Sequence, residues 1–202
     1  MSKICDSGKY GSRFTPSTIY NVDETAIYFD TPPKHIWAER DRKVSAKVKY
    51  AEKHSSILTV VMAIRADGKP GGTIEQGHIY CVQENGWMDS RVWEIYAKEL
   101  LKFQIDSPSV LLADNFDCHV SYEGQKVITR EVNATVCPLP ANSTAVCQPL
   151  DVGVMGPLKK ATASVVVNRL SEKRLISIER TIRAWALIDS DCVVGSFEKA
   201  IP

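Results

Sequence analysis

Residues 17–30 read "STIYNVDETAIYFD", and the way that run folds decides much of the rest. Ile19, Tyr20, Val22, Ile27, Tyr28 and Phe29 are residue types that a pleated, half-buried surface favours, so the run predicts a strand. Two acids stand side by side in its middle. Asp is among the poorest strand formers, and a buried carboxylate without a partner is strongly destabilising. A strand that should build core therefore needs a reason to carry Asp23 and Glu24.

Working outward, "DTPPKH" (30–35) breaks the strand, because proline removes a donor and fixes the backbone. "SSILTVVMAIRADG" (55–68) predicts a second strand closing at the turn pair Asp67-Gly68. "KPGGTIEQGHIYCVQ" (69–83) holds at most a short third strand around His78–Val82. "GWMDSRVWEIYAKELLKF" (86–103) predicts a helix capped by Asp89 or Ser90, with Val92, Trp93, Tyr96 and Leu100 at helical spacing. The apolar burst Val110–Ala113, stopped by Asp114, is what a strand covered on both faces looks like. A modest helix follows at 121–132 and a short strand at 134–140. From Gln148-Pro149 a long helix is expected, with Pro in its first turn, and two more helical stretches fill 171–188 and 189–200. Hairpin strands followed by alternating units predict an α/β fold, a mixed sheet with helices on its faces.

Bulk properties narrow the class. A chain of 202 residues with 44% hydrophobic content can bury a real core as one domain. No apolar run approaches the roughly 18 residues of a membrane span, and "MSKICDSGKYGSR" lacks the apolar region of a signal peptide. A soluble, intracellular chain with no membrane partner is expected. The six cysteines (5, 81, 118, 137, 147 and 192) contain no C-x-x-C pair, so neither a disulfide framework nor a zinc ribbon is indicated. His35, His54, His78 and His119 are also dispersed, which argues against a histidine zinc site. Net charge is only +1, but its distribution is uneven. Lys34–His54 carries seven Lys or Arg, among them Arg40, Arg42, Lys43 and Lys47, against three acids. Gly156–Ala184 carries seven, including Lys159 and Lys160, against two. Each segment is either a solvated face or a track for phosphates.

Three acids stand out by position. Asp23 is mid-strand, Asp114 ends the covered strand where open sheets place their ligands, and Asp151 lies in "CQPLDVG" at the start of the long helix. If the first strand and the 110–113 strand are neighbours, Asp23 and Asp114 converge at one sheet edge. Gathered carboxylates repel unless a cation sits between them, and hard divalent ions with oxygen ligands are the natural answer. Phosphoryl transfer on nucleic acid is the matching chemistry. Each acid also has an everyday use: Asp23 bonded to a loop, Asp114 capping the next helix, Asp151 complementing a helix dipole. The residues alone leave both readings open.

"YNVDETAIYF", "LLADNFDCHVS" and "PLPANSTAVCQPLDVGVMGPLKK" resemble the three acidic blocks of the DDE-superfamily endonucleases. The resemblance is to the branch of pogo and Tigger transposases, with centromere protein B and jerky-like proteins as domesticated relatives. "QENGWMDSRVWEIY" and "SFEKAIP" resemble linking segments of that branch, and the match runs from about Phe14 to the end. The resemblance implies an RNase H-like fold whose triad is Asp23, Asp114 and Asp151, the last two separated by 36 residues. It implies that these acids bind two Mg²⁺ or Mn²⁺ ions, that water cuts DNA at transposon ends, and that the freed 3′-OH attacks target DNA. It also implies that Asn115 and His119 orient Asp114 or a phosphate, although a plain structural hydrogen bond serves His119 equally well. Arg40, Arg42, Lys43, Lys47, Lys159 and Lys160 become expected contacts to the DNA backbone. Glu24 points to the opposite face by strand alternation and is left out of the site.

Two departures accompany the likeness. The chain begins almost at the first acidic block, so no N-terminal helix-turn-helix DNA reader is expected, and 1–202 is read as a single catalytic core. Residues 1–15 are then a lead-in and 155–202 the C-terminal helices. Residues 66–80 are short, so the third, edge strand is expected to be short or missing, as in a truncated or decaying element copy. Three functions compete: a transposase-type endonuclease core, a catalytically inactive or truncated transposase-derived DNA-associated protein, and an unrelated α/β enzyme. DNA is the expected partner, with a homo-oligomer allowed and no small-molecule cofactor. The nucleus is the expected location because the substrate is there.

Overall fold

A computed structural model describes residues 14–28, 57–69, 79, 81, 86–163 and 170–201. Among these residues the sheet has four strands: β1 (Ile19–Tyr28), β2 (Ile57–Arg65), β3 (Ser109–Ala113) and β4 (Ala134–Pro138). They lie in the order β2-β1-β3-β4. β1 runs antiparallel to β2 and parallel to β3, which is itself parallel to β4. All five residues of β3 are buried, as its unbroken apolar run requires. A turn at Asp67-Gly68 follows β2, with Gly68 N–H donating to the Arg65 carbonyl at 3.0 Å. The short third strand expected at 78–82 lies outside the described residues, apart from Ile79 and Cys81.

Helix α1 runs Ser90–Tyr96, widens into a π-turn at Ala97–Leu101 and closes with Lys102–Gln104. Asp89 caps it, accepting from Val92 N–H at 2.8 Å. Two helices follow β3: α2 (Asp117–Val120) and α3 (Tyr122–Val132). Ser121 caps α3, and Asn133, at φ 57°, ends it in the left-handed region. After β4 comes a short α4 (Thr144–Cys147) that the sequence pattern did not announce. The long helix expected from Gln148 begins instead as a π-turn, Leu150–Val154, and continues as α5 (Met155–Thr162). Helices α6 (Leu170–Trp185) and α7 (Ser190–Ala200) complete the chain, Asp189 capping the latter.

Strand alternation divides the apolar side chains into two cores. On one face Tyr20, Val22, Leu111 and Ala113 pack with Trp93, Ala97 and Leu101 of α1 and with Ile128 and Val132 of α3. On the other Ile19, Val110 and Leu112 pack with Leu150, Val154, Leu158, Ala184, Val193 and Phe197. Helices therefore cover both faces, as the sequence predicts. Cys118 is buried, while Cys81, Cys137, Cys147 and Cys192 are half-buried, and all five are free thiols. Among the described residues no helix is long and apolar enough to cross a membrane.

Candidate active site

The register of the parallel pair decides where the acids meet. Ile19, Tyr20 and Asn21 stand opposite Val110, Leu111 and Leu112. Carried two positions further, the same offset sets Asp23 against Asp114. Alternation puts Asp23 on the face of Ile19, the face that the Leu150–Val154 turn covers, and Asp151 lies in that turn.

Asp23 is buried, and Glu24 N–H donates to its Oδ1 at 2.8 Å. Its carboxyl is pushed up to about 7, first by burial, then by the charge of Asp151, with Glu24 and Asp114 adding to the effect. The Glu24 N–H works against them. Asp151 is exposed as a residue. Its carboxyl is nonetheless raised by loss of surrounding water and by Asp114, while Lys159 opposes the shift. Asp114 behaves in the opposite sense. Its Oδ1 accepts from His119 Nδ1–H at 2.8 Å and from Phe116 N–H at 3.1 Å, and the His119 bond holds it below the usual carboxylate range. Three carboxylates from three elements thus lie within electrostatic reach of one another. Among the described residues, no three His, Cys, Asp or Glu side chains are grouped tightly enough to ligate one ion.

His119 is fully buried and held at both ring nitrogens. Nδ1 faces Asp114, and Nε2 lies 3.1 Å from Oε1 of Glu24. Burial alone would discharge the ring. The bonds to Asp114, Cys118 and Glu24 outweigh it and raise the group to about 11, so at neutral pH the imidazolium donates from both nitrogens. Trp93 packs on the ring with centroids 4.4 Å apart and anchors itself through Nε1–H to the Gly124 carbonyl at 3.3 Å. Gly124 has to be glycine: a Cβ there would lie 2.0 Å from the Cys118 carbonyl oxygen. Gly153 plays the same part in the Asp151 turn, where a Cβ would meet that of Ser196 on α7 at 2.5 Å.

The predicted residues fall unevenly. Asp23, Asp114 and Asp151 lie within electrostatic reach of one another, and His119 touches Asp114. Asn115 does not: its amide donates to the Leu139 carbonyl and ties the end of β3 to the segment after β4. Lys159 and Lys160 are exposed on α5, Lys159 near enough to influence Asp151. Arg40, Arg42, Lys43 and Lys47 lie outside the described residues. Glu24 lies on the face opposite Asp23, as strand alternation predicts, and there His119 reaches it and joins it to Asp114. Asn21, fully buried beside the acids, was missed as well.

The chain matches the family described as DDE superfamily endonuclease over residues 58–188. Among curated proteins none matches it significantly. Solved structures do. The Mos1 strand transfer complex is 14% identical, with TM-score 0.64, covering 92% of this chain and 52% of that one. The Mos1 transposase paired-end complex with left transposon end is 15% identical, with TM-score 0.62, covering 95% and 54%. The catalytic domain of Mos1 mariner transposase, also 15% identical, gives TM-score 0.54 and covers 95% and 80%. Paired-end complexes of Mos1 with Mn and with Mg match too. The shared fold is the RNase H-like mixed sheet, and this chain spans about half the length of the transposase chains in those complexes.

Proposed function

The chain belongs to the DDE superfamily of endonucleases, and on that premise we propose that it is the catalytic core of a transposase-type endonuclease that cuts transposon ends and joins them to target DNA. The observation that carries this reading is the meeting of three carboxylates from β1, the end of β3 and the 150–154 turn, with Asp23 raised by burial and by the charges of the other two. An oxygen-only donor set with unbalanced negative charge suits a hard divalent cation. Asp23, Asp114 and Asp151 would hold two Mg²⁺ or Mn²⁺ ions, a choice supported by the structures of the neighbouring transposase with those metals. When bound, the ions would neutralise the carboxylates and supply Lewis-acid stabilisation to phosphoryl transfer.

The chain's own residues prepare that chemistry. The Glu24 N–H fixes one oxygen of Asp23, and His119 with the Phe116 N–H fixes one oxygen of Asp114, so the orientation of each carboxylate is set in advance. Lys159 and Lys160, with Arg40, Arg42, Lys43 and Lys47, would track the phosphate backbone. DNA as partner is supported by the transposase–DNA complexes among the structural neighbours. "QPLD" and "YNVDET" favour the pogo–Tigger branch, with 1–202 as one core and the nucleus as location. Assembly as a homo-oligomer is part of the same reading.

Plasmid nicking tests it. Wild type should nick supercoiled DNA with Mn²⁺ or Mg²⁺ and stop on chelation, while Asp114→Asn should not nick. Wild type that nicks equally well in chelator would overturn the reading. A second reading is a DNA-associated protein without chemistry. DNA binding without nicking at any metal concentration would select it.

A further inference from the structure

The paired ladder between β1 and β3 ends at Asn21 and Leu112. At that point the Asn21 side chain takes over from the backbone. Its Nδ2 donates to the Leu112 carbonyl at 3.1 Å and, more weakly, to the Val22 carbonyl at 3.4 Å. Its Oδ1 accepts from Leu150 N–H at 2.9 Å. The residue is fully buried. Strand propensity does not call for asparagine here, since Asn is as poor a strand former as Asp.

The places it touches are informative. Asn21 lies two residues before Asp23, Leu112 two before Asp114, and Leu150 one before Asp151. The Leu150 N–H belongs to the first turn of a helical segment, where backbone donors have no partner within the helix. Asn21 supplies that partner from a strand, a cap delivered by another element. A planar amide donates and accepts in fixed directions, so one side chain couples three backbones next to three acids. An apolar side chain of the same size would fill the space and couple none of them, leaving a buried carbonyl and a buried N–H unpaired.

We propose that Asn21 is a positioning residue that sets the mutual placement of Asp23, Asp114 and Asp151 and thereby the divalent-cation affinity of the site. This rests on the reading of those acids as metal ligands. Outer partners of metal ligands govern affinity by about 10–100-fold, because a ligand free to turn loses its preorganisation.

The test is Mn²⁺ binding by calorimetry on the full chain, well below the metal-free melting temperature, which is measured separately. Asn21→Ala should weaken the Mn²⁺ Kd by at least about ten-fold. Single-turnover nicking at saturating DNA should fall in parallel, with the KM for DNA unchanged. Asn21→Leu is the second variant and guards against a failure of Asn21→Ala to fold around an empty space. It fills the volume of the amide but neither donates to Leu112 nor accepts from Leu150. Weaker Mn²⁺ binding is expected of it as well. A folded variant of either kind that binds Mn²⁺ within two-fold of wild type, or tighter, overturns the inference. Wild type that takes up no Mn²⁺ removes the parent reading and this one together. Wild type that binds, beside Asp114→Asn that does not and Asn21→Ala that does, removes this one alone.

Discussion

His119 Nδ1 lies 2.8 Å from Oδ1 of Asp114, so the acid at the end of β3 is held by a side chain five residues further along the same segment. The other side of the imidazole is held by Glu24, from a strand 95 residues away. The imidazolium is favoured by its bonds to both carboxylates.

Replacing one of them should therefore register. In Glu24→Gln the second bond survives but its charge does not, and a loss of about 1–3 kcal/mol in urea unfolding is expected. The clamp also has a pH signature. His119 is raised to about 11 in the folded protein, from an ordinary value near 6.5. Its contribution is fully present below 6.5 and is lost as pH rises through about 11. Wild type should lose more stability over that window than His119→Asn, measured as melting temperature against pH.

For Asp23 the sign is similar but the window differs. A carboxyl raised to about 7 by burial and by Asp151 keeps a proton that the unfolded chain releases near 3.8. Its contribution is full below 3.8 and is lost as pH rises through 7, leaving the metal-free protein carrying an unbalanced charge. Asp23→Asn should match wild type near pH 4 and melt several degrees higher at pH 8 in chelator. It should also bind no Mn²⁺. In wild type, Mn²⁺ affinity should rise about ten-fold per pH unit below 7 and level off above it, with proton release visible in calorimetry across two buffers.

Asp114 separates chemistry from scaffolding. Asp114→Asn keeps an acceptor for His119, so it should stay folded and lose more than about 100-fold in nicking, beyond what outer partners of a ligand contribute. Asp114→Ala also strips the imidazole of a partner and should unfold at lower urea by about 1–3 kcal/mol. Equal stability of the two variants would show that the His119 bond contributes nothing to the fold.

Gly124→Ala tests the support behind the clamp. The added methyl meets the Cys118 carbonyl, a backbone atom next to His119, so the α2–α3 corner must shift. A loss of about 1–3 kcal/mol is expected, with weakened Mn²⁺ binding although no ligand is changed. A variant with wild-type stability and affinity would mean that the corner yields freely.

The elements that carry the acids were legible because each acid interrupts an apolar pattern: Asp23 within a β-branched and aromatic run, Asp114 after a covered strand, Asp151 at the head of a helix. The mixed character of the sheet follows from hairpin strands preceding alternating units, whereas its order, β2-β1-β3-β4, does not. The π-turns at 97–101 and 150–154 were not legible, since one residue more per turn leaves no mark in an apolar period averaged over a helix. The bond between Glu24 and His119 was not legible, because alternation states only which face a side chain takes, not which residue from the far end of the chain waits there. Asn21 was open to the reasoning that found Asp23, a polar residue where a strand wants an apolar one. Arg40, Arg42, Lys43 and Lys47 lie beyond the described residues, so their part in the site rests on charge alone.

The pairing of β1 with β3 spans 91 positions of chain, and that length bears on the order of events in folding. Closing so long a loop is entropically expensive and slow compared with coiling α3 or α7, whose contacts are local. Helices can therefore form while Asp23 and Asp114 are still far apart, and their repulsion arises only at the final closure. A cation that binds the closed site acts on the native state and not on what precedes it. It should leave the rate of folding almost untouched and slow unfolding, so that the metal serves as a latch on a door that the chain has already shut.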